Sequence, residues 1–116
     1  MEHDDAADDW PLWLSPLQCV VCSTTDDIAA YAEEVCTRAR ELGLKVTTDV
    51  RNENIRDKVR EHISAKVPVV FVVGHRERDE RTVILHPLGS SDSRTYPLDE
   101  ALALLVAEAH PPDLER

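Results

Sequence analysis

Glycine is scarce in this chain. Gly43, Gly74 and Gly89 are the only three in 116 residues, too few and too far apart for a glycine-rich phosphate loop. Cysteine is scarce and odd in number. Cys19, Cys22 and Cys36, in a chain whose start is acidic rather than signal-like, argue against a disulfide framework. Cys19 and Cys22 have redox spacing but lie within an apolar run. On a strand, residues three apart face opposite ways, so their sulfurs cannot meet. A zinc site would need a second pair of ligands, and only Cys36 is left. The three thiols are therefore expected to be buried small hydrophobes, with no metal and no cofactor. No apolar run approaches the ~20 residues that span a bilayer. Met1-Glu2-His3-Asp4-Asp5 is acidic where a targeting peptide is basic, so a soluble, cytoplasmic protein is expected.

Positive charge is also in short supply. The formal net charge of -10 excludes a broad basic footprint for a polyanion. Its distribution is uneven. Residues 1–16 hold five acids and no Lys or Arg, whereas residues 51–81 hold eight of the thirteen basic groups, for a local net of +2. A localised nucleic-acid surface is compatible with that segment; so is an ordinary solvated face. With 42% hydrophobic residues the chain has enough apolar material for one core.

The pattern along the chain predicts a flexible acidic leader at 1–9, one domain at 10–110 and a tail at 111–116. Trp10 to Pro16 reads as an anchored entry segment. Leu17 to Cys22 is an apolar strand. A helix follows with a stripe through Ile28, Tyr31, Ala32, Val35, Cys36, Ala39 and Leu42, closed by Gly43 as a left-handed cap. Lys45 to Val50 is a second strand. Ile55, Val59, Ile63 and Val67 define a second helix that Pro68 stops, and Val69 to Val73 is a central parallel strand. His75 to Arg81 reads as a charged loop, Thr82 to Leu85 as a fourth strand, and Gly89 to Ser93 as a turn. Arg94 to Tyr96 is a short edge strand. Pro97 opens a last helix that Pro111 and Pro112 end. The expectation is an α/β fold: a mixed five-stranded sheet with three helices in a three-layer α/β/α arrangement.

In such a sheet, ligands meet the loops at the C-terminal strand ends. Arg51-Asn52-Glu53-Asn54 follows strand two, and Gly74-His75-Arg76-Glu77 follows strand three. If these strands are neighbours, the two loops share one rim. A carboxylate there can accept both N–H donors of guanine's Watson–Crick edge, and an amide can donate and accept. Asn52 has a second reading as cap of the helix behind it. Glu77 reads equally well as a solvated loop acid. His62 suits packing or capping, while His3, His75 and His110 stand in expected loops. No Ser or Cys has a credible base and orienting partner, so no catalytic residue is assigned.

Several motifs carry a resemblance. Trp13-Leu14-Ser15-Pro16, Asp49-x-Arg51-Asn52-Glu53, Lys58-x-Arg60-Glu61-His62, Lys66-Val67-Pro68 and Val72-Val73-Gly74 fall in the order found in the anticodon-binding domains of class II aminoacyl-tRNA synthetases. The combination is most similar to the C-terminal domain of threonyl-tRNA synthetase, over roughly Pro11 to Ala109. The resemblance implies a module that reads the second and third anticodon bases, G and U, of threonine tRNA. It also implies a catalytic domain supplied in cis or in trans, with no DNA or membrane partner. By position, Asn52 and Glu77 match base-reading residues of the family, and Arg51, Asn54 and His86 complete the implied RNA-binding set. The chain departs from the family in three places. Asn54 stands for a usual Lys, Arg56 (followed by Asp57) for a common Gly, and His86 for an RNA-contacting Arg. His is largely neutral at pH 7 and lacks the bidentate fork of Arg. These losses motivate an alternative, a protein-interaction module of the same fold that has given up RNA.

Overall fold

The computed structural model describes residues 15–88 and 92–109. Residues 1–14, Gly89 to Ser91 of the expected turn, Pro111, Pro112 and the tail lie outside the described residues, as do His3 and His110. The sheet contains β1 (Cys19–Ser23), β2 (Val46–Asp49), β3 (Val69–Val73), β4 (Thr82–Pro87) and β5 (Arg94–Pro97), in the order β2-β1-β3-β4-β5. β1 is parallel to both β2 and β3, and β4 and β5 continue the sheet antiparallel. The helices are α1 (Ala29–Glu41), entered through a single 3-10 turn at Asp26–Ile28, α2 (Ile55–Ser64), α3 (His75–Glu80) and α4 (Leu98–Ala109).

Side-chain alternation divides the core in two. Cys19 and Val21 of β1 join Phe71, Val73, the stripe from Ile28 to Ala39 and Leu98, Ala101, Leu102 and Leu105 of α4, whereas Leu42, expected on that stripe, lies past the end of α1 and is exposed. Val20 and Cys22 face the other way, onto Val70, Val72, Ile55, Val59 and Ile63. The two cysteines thus lie on opposite faces, and all three thiols are free and buried. Burial pushes the Cys22 thiol up to about 12, with the Asp49 carboxylate adding to it. Because the thiolate is the reactive form, Cys19 and Cys22 should titrate with a thiol reagent only as the protein unfolds. A stable disulfide between them in purified protein would contradict the strand assignment.

Three expectations are corrected. His75 to Glu80 is a short helix, so the described residues form four α-helices rather than three. Its six residues carry no apolar stripe. It is held by Glu77 Oε1, which accepts the Gly74 N–H at 2.9 Å, and closed by Arg81 in the left-handed region at φ 59°. α2 stops at Ser64, before Pro68 is reached, because Lys66 turns left-handed at φ 67°; Val67 fills the same core from outside the helix. Finally, Pro97 is the last residue of β5, and α4 begins at Leu98. Gly43, at φ 89°, closes α1 as its sequence position requires. No helix among the described residues is long and apolar enough to cross a membrane.

Candidate nucleic-acid interface

The parallel arrangement of β1, β2 and β3 brings their C-terminal ends to one edge, as loop-borne recognition requires. β2 and β3 are not neighbours, however. β1 lies between them, so Arg51–Asn54 and Gly74–Glu77 flank the Thr24–Asp27 segment instead of adjoining. His86 sits elsewhere again. It pairs with Val70, towards the start of β3, and its side chain shares the α2 face of the sheet with Ile84 and Val72. The five candidates therefore occupy three places, not one rim.

Arg51 is bound to the protein. Its guanidinium donates to both oxygens of Asp49, Nε to Oδ1 at 2.8 Å and Nη2 to Oδ2 at 2.7 Å, and Nη2 reaches Glu61 at 3.0 Å. His62 Nε2 lies 2.7 Å from the same Asp49 Oδ2. Hydrogen bonds from Arg51, aided by His62, hold the buried Asp49 carboxyl well below the usual carboxylate range despite its burial. Cys22, Asp49 and His62 bring one potential metal-ligating atom each within 4.8 Å of one another. A cation there would have to displace the Arg51 guanidinium, since Asp49 already accepts from Arg51 and His62.

The cap of α2 is Asn54, not Asn52: Asn54 Oδ1 accepts the Arg56 N–H at 2.8 Å. That leaves Asn52 exposed, its side chain free of protein partners among the described residues. Glu77 is buried rather than solvated, and one of its oxygens is committed to Gly74. A Cβ on Gly74 would stand 2.9 Å from Thr24 Oγ1 and 3.2 Å from Glu77 Oε1, so glycine is what lets β1 and α3 close on each other. His75, read as an isolated loop residue, meets Asp27 at 2.6 Å.

Between α2 and the sheet lies an open groove of about 500 Å³, lined by Ile55, Arg56, Val59, Arg60, Ile63, Ser64, Val72 and His86. Its floor is apolar. Arg56 and Arg60 are exposed at its lip, one helical turn apart, and neither makes an ion pair among the described residues. Like charges at this spacing repel, so packing gives no reason for the pair. Burial holds the His86 imidazole below its ordinary value, leaving it neutral at pH 7. The resemblance had pointed to His86; nothing in it had pointed to Arg60 as a groove residue, or to Arg56 as more than a departure.

A five-stranded mixed sheet with three loops gathered at one edge and a cation-lipped groove on one face defines a small α/β module. The chain belongs to the anticodon binding domain family, whose model matches residues 18–108. It is 52% identical over 106 residues to the threonine–tRNA ligase of Allorhizobium ampelinum, and 51% identical to that of Brucella canis. Those matches cover 91% of this chain and 16% of either ligase, so the chain spans about a sixth of the relatives it matches. The fold superposes on the RNA binding domain of threonyl-tRNA synthetase from Cryptosporidium parvum with a TM-score of 0.88 at 23% identity, covering 96% of this chain and 28% of that one. Prolyl-tRNA synthetase of the same organism gives 0.75 at 20% identity, over 85% of this chain and 22% of that one.

Proposed function

We propose that this chain is the anticodon-reading module of a cytoplasmic threonine–tRNA ligase, and that anticodon bases enter the groove between α2 and the β3–β4 face. Single-stranded RNA is read by splaying bases onto apolar or aromatic surfaces while cations follow the backbone. The observation that carries the reading is the groove itself: an apolar floor with two unpaired arginines at its lip. Asn52 stands free in the loop that leads into α2, where it can read a base edge, whereas Arg51 and Asn54 hold that loop. Arg56 restores, two residues on, the cation lost when Asn54 replaced the family's lysine. His86 offers a neutral ring in place of the arginine fork. Attachment of threonine belongs to a catalytic domain joined to this module or associated with it. The protein-interaction alternative is not favoured, given 52% identity to a ligase over 91% of the chain.

Titration with threonine-type anticodon stem-loops tests the reading. Loops altered at the second or third anticodon base should bind at least tenfold more weakly, since a good base contact is worth roughly 1–3 kcal/mol by analogy with DNA readout. Equal weak binding of all loops at low salt would refute it.

A further inference from the structure

Among the described residues, Lys58 is the one charged side chain the core buries completely: its relative exposure is 1%. It projects from α2, and no carboxylate lies within ion-pair distance of it among the described residues. Burying an ammonium is costly unless its donors are satisfied. Here Nζ donates to the Ser23 carbonyl at 2.9 Å and to the Asp49 carbonyl at 3.3 Å.

Those two carbonyls have a particular address. The last paired residues of β1 and β2 are Cys22 and Asp49, so Lys58 bridges the two strands where their ladder ends. From Asp49 the chain runs through Arg51, itself anchored on the Asp49 carboxylate, to the free Asn52. From Ser23 it runs to Thr24, whose N–H donates to Val73 O at 3.0 Å and whose side chain abuts Gly74 and, through it, the Glu77 cap. Asn52 and Glu77 stand on either side of β1. One ammonium ties together the two strand ends from which both are reached.

We propose that Lys58 is a positioning residue for RNA recognition: it fixes the spacing between the Asn52 loop and the Thr24–Gly74–Glu77 unit, and so sets base discrimination without touching RNA. The discrimination half rests on the anticodon-reading function proposed above; the clamp itself does not.

The test compares the full chain with Lys58→Met, which keeps the length and apolar bulk and removes charge and donors. Amide hydrogen exchange at Thr24–Asp27 and Arg51–Asn54 should accelerate at least tenfold, with the β3 core amides unchanged. The preference for a matched over a mismatched anticodon stem-loop should fall about tenfold, while low-salt affinity for the mismatched loop changes less than threefold. Loop amides that exchange as in the parent, or a uniform acceleration of every amide, would overturn the clamp. A fall in affinity equal for both loops would overturn its role in discrimination. If the parent prefers no loop, the anticodon reading fails while the exchange result still decides the clamp. If Lys58→Met does not fold, the unaltered chain decides: the Lys58 ammonium should give a slowly exchanging NMR signal with through-hydrogen-bond couplings to the Ser23 and Asp49 carbonyl carbons. A freely exchanging ammonium without couplings would overturn the proposal.

Discussion

Asp49→Ala is expected to lower the unfolding free energy by about 2 kcal/mol at neutral pH, the range for lost hydrogen bonds to a charged group, because the half-exposed Arg51 can return to water. The side chain of Asp49 is 4% exposed and accepts from both Arg51 and His62, so its removal takes the shared acceptor from two residues and frees the loop. The pH dependence follows from the sign of the shift. Folding holds the Asp49 carboxyl below its unfolded value, so the unfolded chain takes up the proton first. The contribution is complete above the unfolded value, about 4, and is lost as pH falls through the lowered folded value. Denaturant titrations of both proteins should therefore show a gap at neutral pH that narrows below pH 4. A gap that is small, or that does not close in acid, would mean that the pair contributes little.

The second large effect concerns RNA. Replacing Arg56 and Arg60 together by alanine should weaken binding of a threonine-type anticodon stem-loop about 20-fold at 0.1 M salt. It should also flatten the log–log salt dependence by about 1.4, the loss expected for two single-strand phosphate contacts. Preference between matched and mismatched loops should survive, because phosphate contacts position and base contacts specify. Stability should hold or rise slightly, since the two arginines repel and form no ion pair among the described residues. Isothermal titration across a salt series, with thermal melts alongside, separates these quantities. Unchanged affinity would place the RNA elsewhere.

Much of the architecture was readable because burial leaves a plain pattern. Val69 to Val73 could only be an inner strand, and the stripe from Ile28 to Ala39 could only be one face of a helix. α3 was not readable, because His75 to Glu80 are all charged or titratable and show no apolar period. Its cue is the glutamate three residues beyond Gly74, a half capping box that also suits a loop. The exchange of caps between Asn52 and Asn54 has a similar origin. Two residues of equal capping chemistry flank Glu53, and the register of the turn chooses between them. Strand order leaves no local trace in the chain, so the insertion of β1 between the two loops was beyond sequence reasoning. Lys58 was disguised for a different reason. A lysine among Asp57, Arg60 and Glu61 reads as solvated, and only the convergence of two strand ends beneath it provides the carbonyls that let it be buried. Motif resemblance placed Asn52, Glu77 and His86 in the functional set, but it could not show that one oxygen of Glu77 is already taken or that His86 belongs to a groove floor.

The groove's identity as the RNA site is tested most directly by mapping backbone amide shifts of the isotopically labelled chain on addition of a threonine-type anticodon stem-loop. The account predicts perturbations concentrated at Asn52 to Arg60, at Val72, at Gly74 to Glu77 and at Ile84 to His86, with the α1 and α4 face silent. Perturbations centred on α1 and α4, or none at saturating RNA, would contradict it.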